Sequence, residues 1–370
     1  MANGNQVIQL FEEFAPKHLA VEGDKIGLQI GSLNKEVKRV MVTLDVLESV
    51  VDEAIEKQID LIIAHHPPIF SPLAQVNDRS TAGKITMKCI HHDIAVYVAH
   101  TNLDVCSGGV NDWMSEAIGL RDTKVLVPTY EEPVYKLSVF VPSTHAQDVS
   151  RALGKAGAGH IGDYADCQFR VSGTGQFTPL TGTDPFIGRP HETEQVDEVK
   201  IETVVRESQK KRVLKAMKDA HPYEEVAYDL MRDEIDGHVF GLGRIGRLEQ
   251  AMTLEQFAEH VKTSFGVEGV RVVGDPRRSI EKVAVLGGDG NKYVSTAHFK
   301  GADAYVTGDL YFHVAHDAMA LGLAVVDPGH HVESIMKQGV IDVLSKKFEK
   351  AKINVDLIQS VANTNPFQFK

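Results

Sequence analysis

Five side chains in this sequence have the types and placement to hold divalent metal ions: His65, His66, Asp104, His330 and Glu333. Transition-metal dications take imidazole nitrogen and carboxylate oxygen as ligands. His65 and His66 close the apolar run Leu61-Ile62-Ile63-Ala64 and are followed at once by Pro67-Pro68. On an extended strand, neighbouring side chains point to opposite faces. The proline pair ends the strand, so both rings can turn into one crevice. Asp104 ends the segment His100-Thr101-Asn102-Leu103-Asp104, just past the run Ile94 to Ala99. His330 and Glu333 stand i, i+3, which puts both on one face of a helical turn. Five ligands exceed the four of an ordinary zinc site. They suit two ions about 3.5–4 Å apart that share bridging oxygens, for which Asp104 and Glu333 are the natural donors. A lone histidine inside a fold is more often a hydrogen-bonded core residue than a ligand. Two doublets that close strands in separate halves of the chain are harder to read that way, but pattern alone leaves both alternatives open.

Other residues sit close to these in the pattern. Asp45 and Asp309 also end strands, and each could orient a ligand imidazole or cap a helix. His100 and His313 could line the same crevice as orienting or substrate-contacting groups, with a solvated helix position the alternative for His313. Gly287-Gly288-Asp289-Gly290 and Thr307-Gly308-Asp309 could turn backbone N–H groups toward a phosphate. The glycine loop lacks a complete dinucleotide or nucleoside-triphosphate signature, so ordinary tight turns are the competing account. The His91-His92 doublet ends a predicted helix and reads as surface or capping. His221-Pro222-Tyr223-Glu224-Glu225 is either a second polar site or a turn before a strand.

The elements that must position these groups follow from periodicity. Val7, Leu10, Phe11 and Phe14 recur at helical spacing. Gly27 to Gly31, Val40 to Asp45, Leu61 to Ala64 and Ile94 to Ala99 read as strands, with helices over 47–58 and 80–92. The same rhythm returns at Val283 to Leu286, Ala304 to Val306 and Ala324 to Asp327, with a helix over 332–347. These patterns predict an α/β fold of mainly parallel sheets flanked by helices, whose ligands gather beyond the carboxyl ends of the strands. The middle differs. Leu137, Val139 and Val141 alternate, as do Val199, Ile201, Thr203 and Val205, with helices over 145–156 and 207–219 and a loop over 172–190. This predicts a ferredoxin-like α+β insert. The expected parts are 1–130, an insert at 131–235, and 236–370.

Bulk properties narrow the function. The 370 residues carry 51 acidic and 39 basic side chains, a formal charge of -12. That balance argues against a dedicated nucleic-acid binder. Cys89, Cys106 and Cys167 form no CxxC pair, which points to reduced thiols in a cytoplasmic compartment. The N-terminal residues show no signal-peptide pattern, and no apolar run is long enough for a membrane span.

With these residues assembled, the chain resembles the NIF3-like dinuclear metal-centre family, whose members are labelled type 2 homologues of GTP cyclohydrolase I. The resemblance rests on Gly27-Leu28-Gln29-Ile30-Gly31, His65-His66-Pro67, His100-Thr101-Asn102-Leu103-Asp104, Thr307-Gly308-Asp309, Gly329-His330-His331-Val332-Glu333 and Thr364-Asn365-Pro366-Phe367. It implies metal ligands at His65, His66, Asp104, His330 and Glu333, with His330 rather than His331 as the ligand of its doublet. Two departures stand out. The carboxylate follows His330 by three positions where some members have four, and Gly23-Asp24-Lys25 replaces a common Trp-Asp-Asn. The resemblance also implies a toroidal homohexamer whose inner cavity the metal sites face. The insert is similar to the PII/CutA-like module of longer bacterial members and would cap the cavity openings.

Two functions are expected from this. The first is a metal-dependent hydrolase holding two divalent ions per subunit (zinc, or iron or manganese) and acting on a nucleotide or another phosphate-containing small molecule. The second is a non-catalytic, metal-loaded scaffold or regulator whose insert binds a ligand or partner.

Overall fold

The computed structural model describes residues 2–368 and 370. The chain forms two compact units: Met1–Tyr130 together with Phe240–Lys370, and Glu131–Val239.

In the first unit, continuous apolar runs make buried strands. A five-stranded sheet runs in the order Asp356–Gln359, Arg39–Thr43, Leu61–Ala64, Ala95–Val98, Gly27–Ile30. The first four strands are mutually parallel, and Gly27–Ile30 is antiparallel at the edge. The period-2 alternation of the strands divides its side chains between two cores. Val40, Val42, Leu61, Ile63, Ala95 and Tyr97 face one core. Met41, Ile62, Ala64 and Val96 face the other, packing on Val50, Val51 and Ala54 of the helix Glu48–Glu56 and on Ile85 and Cys89 of the helix Thr81–His91. Burial on both faces is why these strands carry no polar alternation.

A second sheet of this unit has six strands, in the order Arg271–Val273, Ala324–Asp327, Ala304–Gly308, Ser279–Asp289, Val239–Thr253, Arg121–Glu131. Ala324–Asp327, Ala304–Gly308 and Ser279–Asp289 are parallel to one another. Arg271–Val273 and Val239–Thr253 pair antiparallel with their neighbours, so this sheet is mixed. Val283, Val285, Tyr305 and Val325 belong to the same core as Val40 and Ile63. The two sheets therefore share one apolar layer, and both sets of histidine-bearing strand ends are fixed to it.

The N-terminal helix is Gly4–Glu12. Asn3 accepts from Asn5 N–H, and the Gln6 side chain reaches back in a capping box. The helix expected over 332–347 splits in two: a 3-10 segment, His330–Ile335, leads into the α-helix Met336–Ala351. Among the described residues, no helix is long and apolar enough to cross a membrane.

The second unit follows the order strand Val134–Pro142, helix Ala146–Lys155, strands Gln168–Phe177 and Glu194–Arg206, helix Lys210–Ala220, strand Tyr228–Arg232. Its sheet is antiparallel throughout, in the order Tyr228–Arg232, Val134–Pro142, Glu194–Arg206, Gln168–Phe177. That is the β-α-β-β-α-β arrangement of a ferredoxin-like module. Leu137, Val139, Val141, Ile201 and Val205 pack on Val149, Leu153, Val213 and Met217. One expectation fails here. Residues 172–177, expected in a loop, continue the Gln168–Phe177 strand and pair with Glu194–Arg206. The strand is exposed and carries Gly173 and Gly175, so it lacks the apolar alternation that marks a strand in sequence.

Candidate metal centre

His65 follows the Leu61–Ala64 strand and is fully buried. Its N–H bonds to Thr43 O and that of His66 to Leu44 O, so both residues are still tied to the neighbouring strand as the chain turns. His65 Nδ1 lies 2.9 Å from Ala99 O. A carbonyl only accepts, so Nδ1 carries a hydrogen and Nε2 is the nitrogen left to ligate. His66 Nδ1 donates to Asp45 Oδ1 at 2.7 Å and His330 Nδ1 to Asp309 Oδ2 at 2.6 Å. His100 Nδ1 donates to Asp24 Oδ1 at 2.8 Å. Each ring is thus held from behind by an oxygen, which is how ligand imidazoles are oriented in metal sites.

The other ring nitrogens converge. Glu333 Oε2 lies 3.1 Å from His66 Nε2, 3.1 Å from His330 Nε2 and 3.8 Å from His65 Nε2. Asp104 Oδ1 lies 3.6 Å from His65 Nε2. Three overlapping trios have donor atoms mutually within 4.8 Å: His65, His66 and His100; His66, His330 and Glu333; His65, Asp104 and Glu333. His65 Nε2 and Asp104 Oδ1 are buried without a hydrogen-bond partner among the described residues. Leaving such atoms unpaired costs about 1–3 kcal/mol each. Lone pairs of an imidazole and a carboxylate that face each other in a buried space call for a cation between them.

The electrostatics reflect this crowding. Burial lowers the pKa of His66, but hydrogen bonds to Asp45 and Glu333 outweigh it and raise the pKa to about 10. Burial likewise lowers that of His330, while Glu333 and Asp309 carry it up to about 9. Burial pushes Asp104 up to about 6 against the opposing pull of His65. Burial also works to raise Glu333, yet hydrogen bonds from His330 and His66 and the nearby His65 ring hold its carboxyl well below the ordinary value. Asp24 is held low by His100 and Thr101 despite its burial. In the absence of a metal the cluster keeps protons on its imidazoles, and those protons compete with any cation.

Small residues make the room. A Cβ on Gly287 would lie 2.7 Å from Glu333 Oε1; one on Gly288, at φ +63°, would lie 3.0 Å from that oxygen and 3.2 Å from His330 Nε2. Gly287 and Gly288 lie within the strand Ser279–Asp289. They act as a floor under Glu333 and His330, and the Gly287 N–H donates to Asn111 Oδ1. The 3-10 conformation of His330–Ile335 supplies the remaining alignment, since side chains at i and i+3 eclipse in such a helix.

The structure therefore brings together His65, His66, Asp104, His330 and Glu333, with His100 as a sixth member and Asp45 and Asp309 behind the rings. His313 is outside this group: it is exposed, with its ring against Phe312 at 5.4 Å. His331 belongs to none of the three trios. His91 and His92 are exposed at the end of their helix and pack on each other. Sequence patterns missed two contributors. Asp24 braces His100 and also accepts from Thr101 N–H and its hydroxyl. Asn111 donates to Asp104 O and accepts from Gly287 N–H, joining the two halves of the site. Asp24 stands in a stretch noticed only as a departure from the Trp-Asp-Asn pattern, and Asn111 carries no local signal.

Comparison with known proteins gives a consistent result. The family model Duf34/NIF3 (NGG1p interacting factor 3) matches residues 2–366. The chain is 59% identical over 367 residues to a Bacillus subtilis protein named GTP cyclohydrolase 1 type 2 homolog, covering 99% of this chain and 98% of that one. It is 44% identical over 370 residues to a Listeria innocua protein of the same name, covering 100% and 99%. Its structure is similar to the crystal structure of a Bacillus cereus protein related to NIF3, with TM-score 0.95, 56% identity and coverage of 100% and 99%.

Proposed function

The chain belongs to the Duf34/NIF3 family, and on that premise we propose that it is a dinuclear metal-dependent hydrolase acting on a phosphate-containing small molecule such as a nucleotide. The observation that carries this is the pair of buried atoms His65 Nε2 and Asp104 Oδ1, which have no hydrogen-bond partner among the described residues and lie 3.6 Å apart. Glu333 is common to two of the three trios and His65 and His66 are each common to two. Shared membership supports two adjacent ions over one, and Glu333, with Asp104 beside it, is the carboxylate that would be shared between them. His65, Asp104 and Glu333 would hold one ion and His66, His330 and Glu333 the other, with His100 as a further ligand or substrate contact. Zinc, iron or manganese suits this donor set.

When bound, a pair of divalent cations supplies Lewis acidity and a water acidic enough to act as a nucleophile near neutral pH. The protein contributes the rest. Ala99 O, Asp45 and Asp309 fix the tautomers and aim the rings. Gly287 and Gly288 keep the floor clear. His100, fixed by Asp24, can hold or pass a proton at its Nε2 beside the substrate.

The test is elemental analysis of protein purified without chelator or metal-affinity tag, followed by assay of the loaded protein against GTP and a panel of phosphoesters. About two equivalents of metal and a turnover abolished by His65→Ala are expected. Turnover that survives His65→Ala refutes the metal mechanism. Two equivalents of metal with an inert panel would favour a metal-loaded scaffold instead. The homohexamer belongs to the same proposal and is tested by light scattering of the loaded protein.

A further inference from the structure

The second unit has a cavity of about 350 Å³ that shares no residue with the metal cluster. It lies against the strands Gln168–Phe177 and Glu194–Arg206, with residues 179–187 on one side and Tyr223 to Ala227 on the other. Its aromatic wall is Phe140, Phe177, Phe186 and Tyr223. Phe177 and Phe186 meet the Tyr223 ring at 5.5 and 6.5 Å, with interplanar angles of 64° and 52°. Such tilted contacts fix the rings against one another without stacking them flat. The charged lining consists of Glu198, Glu224 and Glu225, with no lysine or arginine.

We propose that this cavity binds a small organic ammonium ion. Aromatic faces and carboxylates both attract cations, and a cation desolvated against several rings gains most. A phosphate or carboxylate ligand would meet three like charges in the lining. A neutral apolar ligand would cover the half-buried Glu198 carboxylate and offer it no new partner. The volume falls in the range of small-molecule sites.

The surrounding structure holds this lining in place. Tyr223 donates its hydroxyl to Glu198 Oε1 at 3.0 Å, which fixes the carboxylate. Burial, and then Glu198, push the Tyr223 phenol above its ordinary pKa, so it stays a donor at neutral pH. A Cβ on Gly175 would lie 2.3 Å from Glu198 Oε2, so a larger residue there would displace the carboxylate from its present position. His221 spends both nitrogens on the lining itself: Nδ1 accepts from Tyr223 N–H at 3.1 Å and Nε2–H donates to Phe140 O at 2.9 Å. The His221-Pro222-Tyr223 segment is thereby a brace for two walls of the cavity. Lys200 Nζ stands 5.9 Å from the Phe140 centroid and is paired with Glu202 at 2.6 Å, which leaves Phe177, Phe186 and Tyr223 as the rings for a bound cation.

Titration of the full-length, metal-loaded protein with choline and with its neutral isostere 3,3-dimethylbutan-1-ol, followed by calorimetry, tests this. Choline should bind saturably and roughly tenfold tighter than the isostere. Glu198→Gln should remove that preference while leaving isostere binding as it was. Phe186→Ala, at a ring 51% exposed and therefore tolerant of substitution, should weaken choline severalfold. His65→Ala should leave choline binding unchanged. Absence of saturation at millimolar choline overturns the proposal. So does equal affinity for the two probes, or choline binding indifferent to both insert substitutions.

Discussion

His66 Nε2 and Glu333 Oε2 lie 3.1 Å apart although 267 residues separate them in the chain. The contact joins the end of a strand in one sheet to a 3-10 turn that follows a strand of the other. Neither residue can be displaced without disturbing the other's second partner, Asp45 for His66 and His330 for Glu333.

Removing the shared carboxylate should therefore cost more metal than removing a terminal ligand. Glu333→Gln should lower bound metal from about two equivalents to one or fewer. Elemental analysis of the purified variant checks this. Retention of full occupancy would show that Glu333 does not bridge.

The oxygens behind the rings should matter nearly as much. Asp45→Ala and Asp309→Ala release His66 and His330 from their fixed tautomers. Each should weaken metal affinity by about 10–100-fold without loss of fold. Competition against a chromophoric chelator measures the change.

The pH dependence follows from the raised imidazole pKa values. His66 at about 10 and His330 at about 9 in the folded, metal-free protein stand above the ordinary 6.5. A raised folded-state value contributes stability that is complete below the unfolded pKa and is lost as pH rises through the folded one. Chelator-treated protein should thus melt at progressively lower temperature between about pH 6.5 and 10. Because ligation displaces those protons, metal affinity should rise across the same interval. Thermal melts with and without metal give opposite trends if this holds.

Gly288→Ala should strain the floor of the site. Its φ of +63° is costly for a side chain, and the added Cβ would meet Glu333 Oε1 at 3.0 Å. A loss of about 1–2 kcal/mol in stability is expected, with weaker metal binding. Denaturant titration and chelator competition read the two effects separately.

Much of the first unit was legible because its signals are local. Val40 to Thr43, Leu61 to Ala64 and Ala95 to Val98 are apolar without interruption, and strands buried on both faces need no other mark. The chemistry of His65-His66 ahead of two prolines, and of His330 with Glu333, could likewise be read from residue type and spacing. Asp24 behind His100 and Asn111 between Asp104 and Gly287 could not, because an isolated Asp or Asn has the same local appearance whether it braces a ligand or faces solvent. The mixed character of the second sheet was also hidden, since strand direction depends on the path of the connections.

The amino-acid sequence by itself determined which segments become buried strands and which side chains at their ends can ligate a cation, because both depend on neighbours a few residues apart. Only the tertiary structure decided that His66 faces Glu333, which nitrogen of each ring is spent on an orienting oxygen, and that His65 Nε2 and Asp104 Oδ1 are buried without hydrogen-bond partners among the described residues. Those facts depend on two sheets packing through one core, which brings together residues hundreds of positions apart.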